Sequence, residues 1–458
     1  MKAQFDPDDP DDHDADDADD GGTAERPHRI VSSADIDMES IDQDALRVLS
    51  RLQRNGYEAF LVGGCVRDLL LGRVPKDFDV ATSAHPRQVK RLFRNGRIIG
   101  RRFRLVHVVY GANVIETATF RGEPAPSGED DGDLLIREDN VFGTAEEDAR
   151  RRDFTINGLF FDPTAGEIHD WVEGIPDLET AVLRTIGDPE VRIAEDPVRI
   201  LRAIKFATRL GFRIEEFTWD AMCRLADELT RSAPPRVLEE ILRLMRSGTA
   251  LGAFRMMRAC GALQALLPTV DHFLGRRDDP DPDAHHRADS YWRLLEALDA
   301  DLHAGTDPTT PVLIAVLFLR LIERDMQGRD EEELSDAEWA RTASETIDPV
   351  ALRARLPRRA VERAKRIICA QRRFTQPSRK NFRPLLFLRS DEFPEALHLF
   401  RLRSAAWGQG WDLYDAWCQR YQRALEVPEE ELDELRTKAR SGRRRRRRRR
   451  RRRPRSGE

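Results

Sequence analysis

The spacing of hydrophobic residues divides the chain into a region of mixed strand and helix patterns and a longer helical region. After Asp42, apolar side chains recur every three to four residues, which is typical of an amphipathic helix. A second helix is expected over 65–71. We expect another strand segment to run from Thr155 through Phe161. Four further short apolar runs are typical of strands, the last two forming a hairpin: 57–62, 77–81, 104–110 and 114–120.

Toward the C-terminus, from residue 188, the apolar spacing is mostly helical. One helix is expected to begin at Asp196, because Asp is a favoured N-cap and Pro197 fits the first helical position. The chain as a whole therefore predicts an α+β fold. Further helices are predicted over 219–230, 236–246, 250–266, 289–303, 311–325, 335–345, 350–371 and 409–425.

Charge is concentrated at the two ends of the chain. The net charge of −6 conceals ten Asp and one Lys in residues 1–20, and fourteen Arg, one Lys and one Glu in residues 436–458. Runs of like charge repel one another and do not fold. We therefore expect disordered tails over 1–28 and 436–458. The arginine tail favours binding to a polyanion, and nucleic acid is the obvious one.

These patterns together predict the organisation of the chain. A loop rich in Gly, Pro, Asp and Glu is expected to be mobile over 122–139. Between the two tails we expect three regions: a head over 29–160, a helical neck over 161–245 and a helical body over 246–435.

Several classes of protein are excluded by composition. The longest apolar run, Val312 to Leu319, is too short to cross a membrane. The acidic N-terminus lacks the basic and apolar segments of a secretory signal. The five cysteines lie far apart, which argues against a disulfide framework or a cysteine zinc site. We therefore expect a cytoplasmic protein without a membrane partner.

A glycine pair marks the first candidate site. Gly63 and Gly64 follow a predicted strand and precede a predicted helix. Glycines let the backbone approach a phosphate, and the free N–H groups at a helix start favour an anion. Arg67 adds a charge that can grip phosphate oxygens. The sequence equally allows a purely structural turn.

Acidic residues mark the second candidate site. Asp77 and Asp79 share one face of a predicted strand, and a divalent cation would relieve their repulsion. The alternative is a solvent-facing strand edge. Glu116 is the one charged residue from Asn113 to Phe120. If its strand adjoins the first, Glu116 would complete a three-carboxylate, two-metal site; otherwise it is an exposed glutamate.

Two further segments combine arginines with carboxylates or amides. Arg152, Asp153 and Asn157 lie around a predicted strand start, where arginine suits triphosphate oxygens and Asp or Asn suits ribose hydroxyls. Asp196, Arg199 and Arg202 are three residues apart and would line one helical face that meets a base. An ordinary surface salt-bridge stripe is the alternative for this last set. Besides Gly63, Gly64 and Arg67, the candidate nucleotide-binding residues are therefore Arg152, Asn157, Asp196, Arg199 and Arg202. Asp153 joins Asp77 and Asp79 as a candidate catalytic residue.

Four motifs in this order, GGCVRD, KDFDVATSA, RRDFTIN and EDPVRILRAIKF, resemble the class II nucleotidyltransferases of the polymerase-β superfamily. This family contains bacterial poly(A) polymerases and tRNA CCA-adding enzymes, and the resemblance covers about residues 42–245. It implies a small polymerase-β-like head that holds two Mg²⁺ ions, a neck that reads the base of the incoming nucleotide and binds RNA, and an RNA-binding body.

The resemblance also implies roles for individual residues. Asp77 and Asp79 would carry the metals, and Asp153 would act at the nucleotide sugar and the active centre. Asp196 and Arg199 would face the base. The triphosphate of ATP would be held by Gly63, Gly64, Arg67 and Arg152.

Other segments favour one branch of this family. The stretch from Gly100 to Val108, the stretch from Asn381 to Arg403 and the arginine-rich terminus are similar to the poly(A) polymerase branch. We therefore predict template-independent addition of AMP from ATP to RNA 3′ ends, which promotes RNA decay, with RNA-decay machinery as a partner. The alternatives are tRNA CCA addition and a noncatalytic RNA-binding protein.

Overall fold

A computed structural model describes residues 28–32, 36–100, 104–122, 141–276, 282–327, 335–375 and 383–433, together with 435 and 437. The predicted tails, apart from His28 and Thr437, and the predicted loop over 122–139, apart from Gly122, lie outside the described residues.

One mixed sheet forms the head. Its eight strands follow the order β1-β8-β7-β2-β3-β6-β5-β4, and of the adjacent pairs β3 and β6 are parallel while the others are antiparallel. Two further short strands, β9 and β10, pair in parallel. The strands are β1 (Arg29–Ser32), β2 (Ala59–Val62), β3 (Asp79–Thr82), β4 (Gly96–Ile99), β5 (Leu105–Tyr110), β6 (Asn113–Thr119), β7 (Leu159–Asp162), β8 (Glu167–Asp170), β9 (Val182–Leu183) and β10 (Arg213–Ile214).

Helices make up the rest of the described chain. Those associated with the head and the following neck are α1 (Gln43–Arg54), α2 (Gly64–Leu70), α3 (Pro86–Leu92), α4 (Ala145–Arg150), α5 (Gly174–Glu179), α6 (Pro189–Glu195), α7 (Arg199–Leu210), α8 (Glu216–Arg224) and α9 (Pro234–Met245). The later helices are α10 (Ala250–Ala259), α11 (Ala262–Leu266), α12 (Pro268–Leu274), α13 (Pro282–His303), α14 (Thr310–Asp325), α15 (Asp336–Arg353), α16 (Arg358–Thr375), α17 (Pro384–Leu388), α18 (Phe393–Trp407) and α19 (Trp411–Leu425).

Apolar burial on both faces holds the sheet in place. Helix α1 begins where Oδ1 of Asp42 accepts hydrogen bonds from the N–H groups of Asp44 and Ala45, at 2.7 and 3.1 Å. It buries Val48 and Leu52 in a cluster that continues without a break into the helical body. A smaller cluster, which includes Phe60, Phe120, Phe160 and Trp171, covers the other face. The α+β architecture predicted from the sequence is confirmed.

Several element bounds differ from the predictions. The second strand begins at Asp79 rather than Asp77. Residues 155–157 form a 3-10 turn, because the chain bends before β7 begins at Leu159. The sheet continues through β8, beyond the predicted head boundary at residue 160.

The other differences are a break in one predicted helix and several elements that were not predicted. The segment predicted as one helix over 350–371 is divided between α15 and α16, and Arg355 at the break has a left-handed φ of 50°. Strands β1 and β4 and helices α17 and α18 were not predicted. No helix among the described residues has both the length and the apolar character needed to cross a bilayer.

Candidate active site

The turn after β2 places glycine where a side chain does not fit. Gly63 precedes α2 and has φ 74° and ψ −125°, a conformation that favours glycine. A Cβ at this position would lie 2.8 Å from Nη1 of Arg152. The backbone of the turn and the Arg152 guanidinium therefore lie next to each other. The predicted turn at Gly63 and Gly64 is confirmed, and its role in binding phosphate stays a prediction.

Arg152 is held beside this turn with one donor unused. Its Nη2 donates to Oδ2 of Asp148 at 2.9 Å, and its guanidinium lies 5.0 Å from the ring centroid of Phe160. Asp148 belongs to α4, which Thr144 caps through a capping box. Nε of Arg152 is buried and has no hydrogen-bond partner among the described residues. A cation with a spare donor beside a glycine turn fits an anionic ligand.

The Arg67 guanidinium donates hydrogen bonds to side chains inside the head. Arg67 is 2% exposed, and its Nε and Nη2 donate to Oδ1 of Asp68 at 2.9 and 2.6 Å. Its Nη1 donates to Oδ1 of Asn157 at 2.7 Å. These bonds engage all three guanidinium nitrogens. The contacts support a positioning role for Arg67, and its predicted contact with triphosphate stays a prediction.

Asp153 lies next in this buried network. Nδ2 of Asn157 donates to its Oδ1 at 3.0 Å, and Nε of Arg202 donates to its Oδ2 at 2.8 Å. Burial alone would raise the pKa of Asp153, but Arg202 and the hydrogen bond from Asn157 outweigh burial and lower it to about 2. Asp153 is therefore ionised at neutral pH and is a weak base. Its predicted catalytic role stays a prediction, and its contacts favour positioning.

Two of the predicted metal ligands face each other on adjacent strands. The parallel pairing of β3 with β6 sets Asp79 opposite Glu116. Exposed Asp77 and Asp79 alternate with buried Phe78 and Val80, so both carboxylates lie on the same side of this extended segment. The shared face predicted from the sequence is confirmed, although Asp77 lies just before the strand.

The charges of these carboxylates act on one another. Asp79 keeps access to solvent, but surrounding protein atoms replace much of its bulk water. This burial and the charge of Glu116 raise the pKa of Asp79 to about 6, with a smaller contribution from Asp77 and a partial offset from Arg152. The raised pKa therefore reflects burial first and the neighbouring carboxylates second, with Arg152 offsetting only part of the effect.

The carboxylates do not form a preassembled metal cluster. Among the residues that the structure describes, no group of three or more His, Cys, Asp or Glu side chains is arranged to hold a metal ion. Oε1 of Glu116 lies 3.4 Å from Nε2 of His107 instead. The oxygen donors and the raised pKa of Asp79 nevertheless fit a hard divalent cation such as Mg²⁺.

The junction between α6 and α7 differs from the predicted capped helix. Asp196 follows α6, and α7 begins at Arg199 after Val198, which makes no side-chain cap. The Asp196 carboxylate accepts from Nη1 and Nη2 of Arg236 at 2.8 and 2.6 Å, and only weakly from the N–H of Val198 at 3.3 Å. This two-bond ion pair competes with capping. The prediction that the helix begins at Asp196 is therefore wrong, because α7 begins three residues later; Arg199 and Arg202 keep their spacing within α7, and the predicted face shared with Asp196 stays a prediction.

Arg199 contacts the preceding helix. Its Nη1 donates to the carbonyl oxygen of Arg192 and, at 3.1 Å, to Oε2 of Glu195. Nη1 of Arg192 donates to the same Oε2 of Glu195 at 2.7 Å. Nη2 of Arg192 donates to the carbonyl oxygen of Arg152 at 3.0 Å. The chain of contacts connects α7 to the segment beside Gly63. The predicted contact of Arg199 with a base stays a prediction.

The structure adds residues that the sequence reasoning missed. Asp148 and Arg152, four residues apart, and Arg192 and Glu195, three apart, have spacings that predict ion pairs. Phe206 and Arg236 carried no such signal. Arg236 is 40 residues from its partner, and the ring centroid of Phe206 lies 5.0 to 5.4 Å from the cationic groups of Arg67, Arg202 and Lys205.

Known families match three successive parts of the chain. Residues 59–184 match the family described as "Poly A polymerase head domain", and residues 211–274 match "Probable RNA and SrmB- binding site of polymerase A". Residues 332–453 match "Polymerase A arginine-rich C-terminus". Poly(A) polymerase I of Escherichia coli O6:H1 is 38% identical over 379 residues, which are 81% of this chain and 80% of that protein. The chain belongs to the poly(A) polymerase I family.

Other relatives of this family agree with the fold. Poly(A) polymerase I of Salmonella typhi is 46% identical over 264 residues, 56% of this chain, and the match spans 57% of the Salmonella protein. A solved structure of the Bacillus stearothermophilus CCA-adding enzyme in complex with CTP has a TM-score of 0.59 and 26% identity, and the match covers 84% of this chain and 82% of that one. The chain is thus a nucleotidyltransferase of the poly(A) polymerase I family, with the fold of CCA-adding enzymes.

Proposed function

We propose that this chain adds AMP from ATP to the 3′ hydroxyl of RNA without a template. The observation that carries the proposal is the match to the Escherichia coli poly(A) polymerase I, which extends over 81% of the chain and is not confined to the head. The attacking RNA oxygen forms a bond to the α-phosphate, and the bond to pyrophosphate breaks. We further propose that the added tail promotes RNA decay and brings RNA-decay machinery to the RNA.

In this proposal the glycine turn and Arg152 hold the triphosphate. Gly63 lets the backbone approach the phosphates, and Gly64 offers its N–H group at the start of α2. Arg152 contributes positive charge and its buried, unpartnered Nε. Arg67 and Asn157 keep Asp153 in place, and Asp153 in turn orients Arg202. These residues hold the α-phosphate in line with the attacking oxygen.

Asp77, Asp79 and Glu116 would hold the divalent cations, which we propose to be two Mg²⁺ ions. Bound there, the ions stabilise negative charge on the attacking and leaving oxygens. The carboxylates themselves must be ionised to bind metal. The pKa of Asp79, raised to about 6, is low enough for ionisation at neutral pH.

Nucleotide choice is proposed to depend on the start of α7. Arg199→Ala should lower the preference for ATP over CTP about tenfold, because it removes a guanidinium that fixes the base-facing segment between Arg192 and Asp196. The measurement is kcat/KM for each nucleotide. A matched control is Arg209→Ala, at the end of the same helix, which should retain the preference. An unchanged preference in Arg199→Ala would place base recognition elsewhere.

A single extension assay separates the candidate functions. Purified protein is incubated with Mg²⁺ and each nucleoside triphosphate alone, with a short RNA and with a tRNA that lacks its terminal CCA. Long A tracts on the short RNA support the proposal. Addition limited to C, C and A on the tRNA supports the alternative favoured by the CCA-adding structural neighbour. No extension, with RNA binding retained, would support a noncatalytic protein. RNA half-lives in cells with and without the chain test the role in decay.

A further inference from the structure

A cavity lies in the helical body, and the residues that line it are outside the candidate active site. It has a volume of about 430 Å³ and lies among α13, α14, α16, α18 and the turn before α19. This volume is within the range of small-molecule sites in proteins. Charged side chains line it from α13, α14 and α18, and aromatic ones from α18, so it is not an apolar packing defect.

Two buried polar groups on the cavity wall lack partners. Ser404 is 2% exposed, and its Oγ has no hydrogen-bond partner among the described residues. The same is true of Nε1 of Trp407, one turn further along α18. A buried polar group that makes no hydrogen bond destabilises the fold, so such groups are uncommon without a reason. A ligand that accepts hydrogen bonds would satisfy both.

Positive charge predominates on the cavity wall. Arg293, Arg320 and Arg403 line it, and Asp289 is the one acidic side chain among the described lining residues. Asp289 pairs with Nε of Arg293 at 2.9 Å. The indole N–H and the guanidinium groups can only donate hydrogen bonds. The wall therefore favours an anion with several acceptor oxygens.

Two of these arginines are already fixed in orientation. Nη1 of Arg320 and Nη2 of Arg403 contact the two carboxylate oxygens of Glu323, which is not part of the lining. Their guanidinium carbons lie 4.8 and 5.4 Å from the ring centroid of Trp407. Arginines held in this way lose little further freedom when a ligand binds. Planar guanidinium and indole groups together also offer surfaces on which a base can stack.

We propose that this cavity binds one nucleotide through its phosphate, as a site separate from the candidate active site. Trp407 Nε1 and Ser404 Oγ donate to the phosphate oxygens, with Arg403 and Arg293 supplying charge. The nucleotide belongs either to the RNA, upstream of its 3′ end, or to a free mononucleotide. The first source rests on the proposed function, and the second does not.

Two conservative variants test the site. Ser404→Ala removes a hydroxyl that makes no hydrogen bond in the protein, so it should leave Tm unchanged or slightly raised. Trp407→Phe keeps an aromatic ring for the two arginines and removes the N–H. The matched control is Trp339→Phe. Trp339 also has a buried Nε1 without a partner among the described residues and an arginine, Arg372, 5.3 Å from its ring centroid, but it is not among the residues that line the cavity.

The experiment measures dissociation constants of the full chain for three probes: AMP, an RNA of about 5 nucleotides and an RNA of about 30 nucleotides. If the site holds RNA, each variant should weaken binding of the longer RNA about tenfold, and by at least fivefold more than binding of the shorter one. If it holds a free nucleotide, each variant should bind one AMP molecule fewer than the wild type.

The outcomes separate this inference from the proposed function. If Ser404→Ala and Trp407→Phe match Trp339→Phe with all three probes, the cavity does not bind a nucleotide. Extension of the longer RNA with ATP is measured in parallel. A wild type that neither binds nor extends RNA contradicts the proposed function, whereas an active wild type whose two cavity variants bind every probe as Trp339→Phe does contradicts only the cavity site.

Discussion

At the scale of single residues, Asp79 combines a cost to stability with a proposed role in metal binding. Burial and the charge of Glu116 raise the pKa of Asp79 to about 6, so its ionised form is disfavoured in the folded state. With metal removed by EDTA, Asp79→Asn should have a Tm at pH 7 equal to or above that of the wild type. The advantage should grow from about pH 4 to about pH 6 and then level off, because the wild-type carboxyl ionises over that range.

The same variant should lose activity. Extension by Asp79→Asn should fall at least about 100-fold, the scale seen when one preorganised charge is removed. Asp77→Asn should behave alike, and Asp162→Asn, which alters an aspartate at the end of β7, serves as the control. Near-wild-type extension by either site variant would contradict the proposed metal role.

Gly63 offers a comparison in which backbone strain and side-chain displacement can be separated. Gly63→Ala imposes a left-handed φ on alanine and places a Cβ 2.8 Å from Nη1 of Arg152. Gly56→Ala imposes a similar φ, 83°, with no atom within 4 Å of the new Cβ. Gly56→Ala should lose about 1 kcal/mol of unfolding free energy, and Gly63→Ala should lose more, because its Cβ also displaces Arg152.

Activity should distinguish these two glycine variants. Gly63→Ala alone should raise KM for ATP, by about tenfold or more, because it displaces the proposed triphosphate-binding arginine. Steady-state kinetics with varied ATP measure this difference. Equal kinetics in Gly63→Ala and Gly56→Ala would show that the approach of Arg152 to the turn has no role in nucleotide binding.

Sequence reasoning succeeded at residues whose roles follow from local spacing. The alternation of Asp77, Phe78, Asp79 and Val80 predicted a shared carboxylate face, and the structure confirms it. The ion pair of Asp196 with Arg236 was not predictable, because it depends on where α9 packs. Similarly, the sequence identifies Arg67 as a cation but does not show that Asp68 and Asn157 occupy its donors.

At the scale of elements, the ion pair of Asp153 with Arg202 joins α7 to the head. Arg202→Met should cost about 3 kcal/mol of unfolding free energy, because it leaves a buried carboxylate without its cation. Adding Asp153→Asn should recover much of that loss. Urea unfolding of the four proteins in this double-mutant cycle measures the coupling. Additive effects of the two substitutions would contradict a direct pair.

The pH dependence of this pair is opposite in sign to that of Asp79. The folded pKa of Asp153, about 2, is below its usual value near 4, so ionisation of Asp153 stabilises the folded state above pH 4. That contribution should be lost as the pH falls from about 4 to about 2. Asp153→Asn should lack this part of the acid-unfolding curve, and an identical curve would show that the pair does not lower the pKa.

Element bounds were predictable where capping and periodicity agree. Helix α1 begins after Asp42, as the periodicity predicts, because Oδ1 of Asp42 caps the helix while Asn113 donates to Oδ2. Asp196 has the same residue type before an apolar run, but Arg236 binds its carboxylate and α7 begins later. Strands β1 and β4 lie at the two edges of the sheet and are mostly exposed, so burial constrains their sequences little, whereas β2 and β3 are equally short but mostly buried.

At the scale of the whole molecule, opposite charges at the two ends predict an effect on RNA binding. Ten Asp lie in residues 1–20 and fourteen Arg in residues 436–458. Segments of one chain meet at an effective concentration near about 1 mM, so the acidic end should compete with RNA for the basic end. Deleting 1–28 should tighten RNA binding at about 50 mM salt, and the gain should shrink as salt rises.

A second deletion controls for this effect. Removing residues 441–458 should weaken RNA binding and reduce its salt dependence, because fewer counterions are released. It should also abolish any effect of the first deletion. Affinities of the four proteins across a salt series give the result. Unchanged affinity at low salt after deletion of 1–28 would show that the acidic end does not compete.

The strand order of the head also dictates when it can be completed during synthesis. Strand β1 pairs with β8, so that Arg29 lies opposite Asp170, and β2 pairs with β7. A ribosome that adds about 5–20 residues per second takes roughly 7–28 s to travel from the first of these strands to the last. During that interval β2 lacks one neighbour and β1 lacks its only one. A nascent chain interrupted before residue 170 therefore exposes open strand edges, which makes the head an early target for chaperones and proteases.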